Sequence, residues 1–187
     1  MTVERSGDFN VLTSDEVFAV AANAGADLTD DEAEMYSVLI VVAAFTGLRM
    51  GELLALRWRD VDFVNRTVFV RQNFVRGVLK QPKGKEIRSV PLIDQAAAAL
   101  DRLSRRANFT GPSDLVFAST TGSHLDGGDM RSVFYDALKA AGLNHKRHED
   151  PPFASTTCDT RSGRSPCRYG RWWTCRHTWG MPTSRRR

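Results

Sequence analysis

Cysteine is nearly missing from this sequence: there are three in 187 residues, all beyond position 157, and none in the first 150. A disulfide framework is therefore excluded for the bulk of the chain. Cys158, Cys167 and Cys175, even with His177, contain no C-x2-C pair, so no metal site is expected. Long apolar runs are also scarce. The longest, Val38 to Phe45, is far short of the roughly 20 residues a membrane helix needs. Met1 to Asn10 is charged and polar rather than signal-like, which gives a cytoplasmic protein with no membrane partner as the expectation. The last absence is local. From Ala154 to Arg187 there is no Leu, Ile, Val, Lys or Glu, and without aliphatics a packed helical segment cannot be written.

What is present suffices for a domain of ordinary size, since 42% of the residues are apolar. The formal charge of +4 and the pI near 9.2 suggest a nucleic-acid partner, but that charge is unevenly placed. Residues 1–150 hold 18 Lys and Arg against 21 Asp and Glu, whereas residues 151–187 hold eight Arg against one Asp. Global basicity is a property of the tail. Within the first part, residues 49–88 form the local exception. Arg49, Arg57, Arg59, Arg66, Arg71, Arg76, Lys80, Lys83, Lys85 and Arg88 there face only Glu52, Asp60, Asp62 and Glu86. This is the expected DNA-facing footprint, the alternative being a solvated hairpin with ordinary surface charge.

Periodicity and caps give an α+β order, mostly helical with a small antiparallel sheet. Thr13 or Ser14 caps a first helix with acidic residues in its first turn. A second helix runs from about Asp31 to Phe45 and ends at Gly47. A third opens after Arg49. Val61, Phe63, Val68 and Val70 around Asn65-Arg66 suggest a hairpin, with further strands at Val78–Leu79 and Ile87–Leu92 joined through Pro82-Lys83-Gly84-Lys85. Asp94–Ala107 and Asp129–Ala141 read as helices, the latter closed by Gly142, with a short apolar strand or turn at Leu115–Ala118. Tyr36 and Tyr135 fall on helices as core residues.

The densest signal is Thr46-Gly47-Leu48-Arg49-Met50-Gly51-Glu52-Leu53-Leu54-Ala55-Leu56-Arg57-Trp58-Arg59-Asp60-Val61-Asp62. It sets one arginine in a glycine-flanked turn at a helix mouth. A guanidinium is always charged, and its planar fork of donors matches two phosphate oxygens. The string fills T-G-x-R-x-x-E-L-x-x-L-x-W-x-D-x-D at every fixed position, and so resembles the first arginine box of the tyrosine recombinases, or phage integrases. A second box follows at Pro82-Lys83-Gly84-Lys85-Glu86-Ile87-Arg88-Ser89-Val90-Pro91-Leu92. There the resemblance implies a sheet lysine that protonates the leaving 5′ oxygen, with Lys83 the better match by spacing and Lys85 the second choice.

The resemblance implies further properties: double-stranded DNA as partner, tetramers assembled on DNA, and strand exchange through a 3′-phosphotyrosyl ester that needs no cofactor. The family's set is an arginine, a sheet lysine, an H-x-x-R pair, a second histidine or tryptophan, and the tyrosine. This chain supplies Arg49 and Lys83 as catalytic candidates. Arg49, Arg76, Lys80, Lys83, Lys85 and Arg88 are the DNA-binding candidates. Met1 stands close to the catalytic domain, so the family's N-terminal helical clamp is expected to be missing.

After Phe153 the resemblance stops, and the composition suggests either an arginine-rich arm or translation out of frame. The second reading can be checked on paper. Taking the last base of each codon with the first two of the next, residues 153–163 permit R-F-H-D-L-R-H-T-F-G, which contains the family's H-x-x-R box. Farther on, residues 178–182 permit M-G-H-A, where the family places its second histidine. Residues 1–150 are thus expected to be a partial integrase-type catalytic domain, and 151–187 a disordered out-of-frame tail. His148, Tyr169 and His177 are accordingly given no catalytic role. The leading expectation is a recombinase domain without its nucleophile and so inactive. The alternatives are a non-enzymatic DNA-binding or regulatory remnant, and a pseudogene product that barely folds.

Overall fold

The computed structural model describes residues 11–81 and 87–147. Lys83, Lys85, His148, Tyr169, His177 and the three cysteines lie outside these residues. The chain begins with helix α1 (Ser14–Ala22), started by a reciprocal cap. The Glu16 backbone N–H donates to Thr13 Oγ1 at 3.3 Å, and the Thr13 N–H donates to Glu16 Oε2 at 2.8 Å, satisfying two donors that a helix start leaves open.

Helix α2 (Asp30–Thr46) is the centre of the domain, with every residue from Val38 to Phe45 buried. A helix that is apolar all round has to be covered on all sides, and α1, α4 and α5 supply the cover. Gly47 ends it in the left-handed region at φ 63°. A Cβ there would meet nothing within 4 Å, so backbone conformation alone calls for glycine.

The third helix is shorter than its sequence pattern suggested. α3 spans Met50–Leu54, and the chain then turns through a 3-10 segment, Trp58–Asp60, into strand β1 (Val61–Asp62). Leu53 and Leu54 of its last turn and Leu56 beyond its end are all buried, at a reversal of the chain. That reversal is tied to the 111–116 loop: Trp58 N–H donates to the Asp114 carbonyl, Arg59 N–H to Pro112, and Val116 N–H to Leu56.

β1 pairs antiparallel with β2 (Thr67–Val70), and β2 with β5 (Arg88–Pro91), in a three-stranded sheet ordered β1-β2-β5. Between β2 and β5 the chain makes a separate ribbon, β3 (Asn73–Val75) and β4 (Val78–Lys80). Its two-residue turn is Arg76-Gly77, with φ of 51° and 75°. Two positive φ values give the turn whose twist matches antiparallel strands. Val78–Leu79 therefore pairs within this ribbon, while the strand after residue 87 pairs across it with β2.

Helix α4 (Asp94–Ser104) lies on α2, its buried face being Ala96, Ala97, Ala99, Leu100 and Leu103. It ends three residues before the alanine-rich pattern does. Val116 and Phe117 are fully enclosed between isolated bridges, Arg57 with Leu115 and Ala118 with His124. α5 (Gly127–Ala140) starts on Asp126, whose Oδ1 accepts from the Gly128 N–H, and closes at Gly142, φ 75°. Tyr36 is core as expected, 7% exposed. Tyr135 is not: it is half-buried, its ring covered by the Arg147 guanidinium at 4.0 Å. Among the described residues, no helix is long and apolar enough to cross a membrane.

Candidate functional site

The arginine turn is held from three sides. Gly47 reverses the chain after α2, and Arg49 then sits in extended backbone as the cap of α3. On one flank, a Cβ on Gly51 would fall 1.9 Å from Asn73 Oδ1 and 2.6 Å from the Phe74 carbonyl oxygen. Only glycine allows the ribbon to lie that close to α3. On the other flank, the start of α5 comes against α3, with a Cβ on Gly127 placed 3.3 Å from Met50 Sδ.

Glu52 organises the charged groups. Its side chain is only 4% exposed, yet it is surrounded by donors. Oε2 accepts the Arg49 backbone N–H at 2.8 Å and Arg88 Nη2 at 2.5 Å, and Oε1 accepts Arg49 Nη1 at 3.2 Å. A buried carboxylate left alone would be strongly unfavourable, and here two arginines from separate elements compensate it. Two guanidiniums on one carboxylate leave a net positive charge. The Arg49 side chain remains 67% exposed, so that charge faces outward.

A second buried carboxylate repeats the device at the sheet. Asp60 Oδ1 accepts from Arg71 Nε at 2.8 Å, and Arg71 also lies 5.5 Å from the centroid of the Phe69 ring. Behind the turn, Trp58 Nε1 donates to the Phe109 carbonyl at 2.9 Å. Arg106 donates to the carbonyls of Asn108, Phe109 and Leu115, so its charge is spent on the scaffold. Burial holds that guanidinium below its ordinary pKa, opposed by Asp114 and Asp31.

Phe74 reaches from the ribbon to stack on His124, with centroids 4.0 Å apart and planes 12° from parallel. Burial pushes the His124 imidazole below the ordinary histidine value, and Arg57 adds to the shift. The ribbon is thereby fastened at two points, to Gly51 and to His124.

The structure thus brings Arg49 and Arg88 together on Glu52. Arg76 and Lys80 stand exposed on the adjoining ribbon, Arg76 in its turn and Lys80 at the end of β4. Lys83 and Lys85 belong to the segment between β4 and β5 that lies outside the described residues. The sequence reading missed Glu52 as the hub. Its spacing of three residues from Arg49 on a helix start was a usable signal. Its contact with Arg88, 36 positions away, was not.

The chain is similar in sequence and fold to known proteins. Tyrosine recombinase XerC of Corynebacterium efficiens is 30% identical over 124 residues, covering 66% of this chain and 36% of that protein. In fold, the chain resembles XerA recombinase, with 23% identity, a TM-score of 0.54 and coverage of 76% of this chain and 47% of that one. It also resembles the Tn1549 transposon integrase, solved with circular intermediate DNA, at 21% identity, a TM-score of 0.56 and coverage of 77% and 50%. The chain spans about a third or less of the length of the curated relatives it matches. The sequence model of the phage integrase family itself matches from residue 10 to residue 153. With its arginine box folded around a buried glutamate and its helices and small sheet arranged as in solved recombinases, this chain belongs to the phage integrase family.

Proposed function

We propose that this domain is the phosphate-holding part of a site-specific DNA strand-transfer centre, with double-stranded DNA in the cell's cytoplasm as its partner. One observation carries the reading. The Arg49 guanidinium is held through Nη1 by a buried carboxylate while its side chain stays 67% exposed, beside a ribbon bearing Arg76 and Lys80. Held this way, the fork is aimed before DNA arrives, and little side-chain freedom is lost on binding.

In the complete reaction a tyrosine hydroxyl gives its proton to a general base as its Oη attacks the scissile phosphorus. The P–O5′ bond breaks as the Tyr–O–P bond forms, and a proton from a lysine caps the leaving 5′ oxygen. Reversal of the same steps rejoins the strand. Arg49 stabilises charge on the non-bridging oxygens, and Lys83 is the proton donor, with Lys85 as second choice. Arg76 and Lys80 contribute positive potential along the duplex.

Residues after Phe153 are read as out of frame. The shifted frame permits H-D-L-R-H and then M-G-H, and the family match ends at residue 153, which supports that boundary. The 187-residue chain is accordingly expected to bind DNA without cleaving it. Two measurements test this. Codon 158 should be TGC, which gives arginine in the shifted frame, whereas TGT gives a stop and ends the frame argument. A gene with the frame restored should form a denaturation-resistant covalent DNA adduct that the present chain does not form. An adduct formed equally by both would overturn the reading.

A further inference from the structure

We infer that Arg88 is a positioning residue that acts through Glu52 on Arg49, and not an independent phosphate ligand; the inference rests on the reading of Arg49 given above.

The geometry is specific. Glu52 has two oxygens and three donors to share between them. Arg88 Nη2 takes Oε2 at 2.5 Å, and the Arg49 backbone takes the same oxygen at 2.8 Å. Arg49 Nη1 is left with Oε1, at the longer distance of 3.2 Å. Arg88 is thus the closer charged partner of the carboxylate, and Arg49 is held loosely enough to keep its outer donors for a ligand.

Removal of Arg88 changes that division. Glu52 stays buried and must find its compensation elsewhere. The only other guanidinium on it among the described residues is that of Arg49, which then turns inward to take both oxygens. An arginine engaged on both forks is lost to the phosphate. Arg88 also sits on β5, directly after the segment that carries Lys83 and Lys85.

The test is a double-mutant cycle on binding of the full chain to a 30-base-pair duplex, read by fluorescence anisotropy, with thermal unfolding to confirm that each variant is folded. Arg49→Ala should weaken binding about tenfold, the scale of one charge-assisted contact. Arg88→Met should weaken it comparably, and Arg49→Ala with Arg88→Met should bind no worse than Arg49→Ala alone. Arg88→Lys, which keeps a charged donor for Oε2, should restore binding to within about threefold. In a Glu52→Gln background, where no carboxylate can capture Arg49, Arg88→Met should have no effect. That background also serves if Arg88→Met alone does not fold. Nitrogen-15 spectra should show the Arg49 guanidinium slowed in its rotation by Arg88→Met. Additive losses, or an Arg88→Met effect undiminished by Glu52→Gln, would overturn the positioning role and leave the Arg49 reading standing. Unchanged binding in Arg49→Ala would overturn both.

Discussion

Replacing Gly51 by alanine should push the β3–β4 ribbon off helix α3. The new methyl carbon would lie 1.9 Å from Asn73 Oδ1 and 2.6 Å from the Phe74 carbonyl oxygen. The asparagine side chain can swing aside, but the carbonyl is backbone and belongs to a strand paired with β4. A comfortable carbon–oxygen contact needs about 3.3 Å, so the strand must retreat by roughly 0.7 Å, and overpacking of this kind costs about 1–3 kcal/mol. For a domain of this size that corresponds to a fall in Tm of about 3–10 °C. Gly47→Ala is the matched control, since nothing lies within 4 Å of its Cβ and only the positive φ penalises it, by about 1 kcal/mol. Differential scanning calorimetry of both variants checks the ranking, and DNA binding should suffer only in Gly51→Ala, where the ribbon moves. A Gly51→Ala protein as stable as wild type would refute the close approach of ribbon and helix.

Two further outcomes concern pH. Although burial pushes the Glu16 carboxyl up, the Lys146 ammonium at 2.7 Å and the Thr13 cap outweigh it and hold it below its ordinary value of 4.5. The stability this contributes is present above about pH 4.5 and is lost as pH falls through the lowered folded value. Lys146→Met should flatten that acid limb in urea titrations between pH 6 and 3. His124 behaves similarly at a higher range: its folded pKa lies below 6.5, so the unfolded chain takes up the proton first and stability declines as pH falls from 6.5. His124→Phe keeps a ring against Phe74 and should remove this component from Tm values measured between pH 7 and 5.

The parts of the fold that sequence revealed are those decided within a few residues. The Thr13–Glu16 cap, the Gly47 stop and the apolar run of α2 each depend on neighbours three or four positions apart. The β3–β4 ribbon was hidden because its turn places Arg76 in a left-handed conformation that arginine rarely adopts. Pairing of β2 with β5 was hidden because it skips over that ribbon. In the site, Arg49 stood out from its turn and its pattern, whereas Arg88 read only as one of the DNA-facing cations. Its bond to Glu52 is tertiary, and no local rule connects positions 52 and 88.

In the proposed function Arg49 presents its guanidinium to a DNA phosphate while Glu52 holds one of its Nη groups. The most direct measurement is the salt dependence of duplex binding by the wild-type chain and by Arg49→Ala. Loss of one phosphate contact should lower the slope of log K against log salt by about 0.9 together with the affinity. An unchanged slope and affinity in Arg49→Ala would contradict the account.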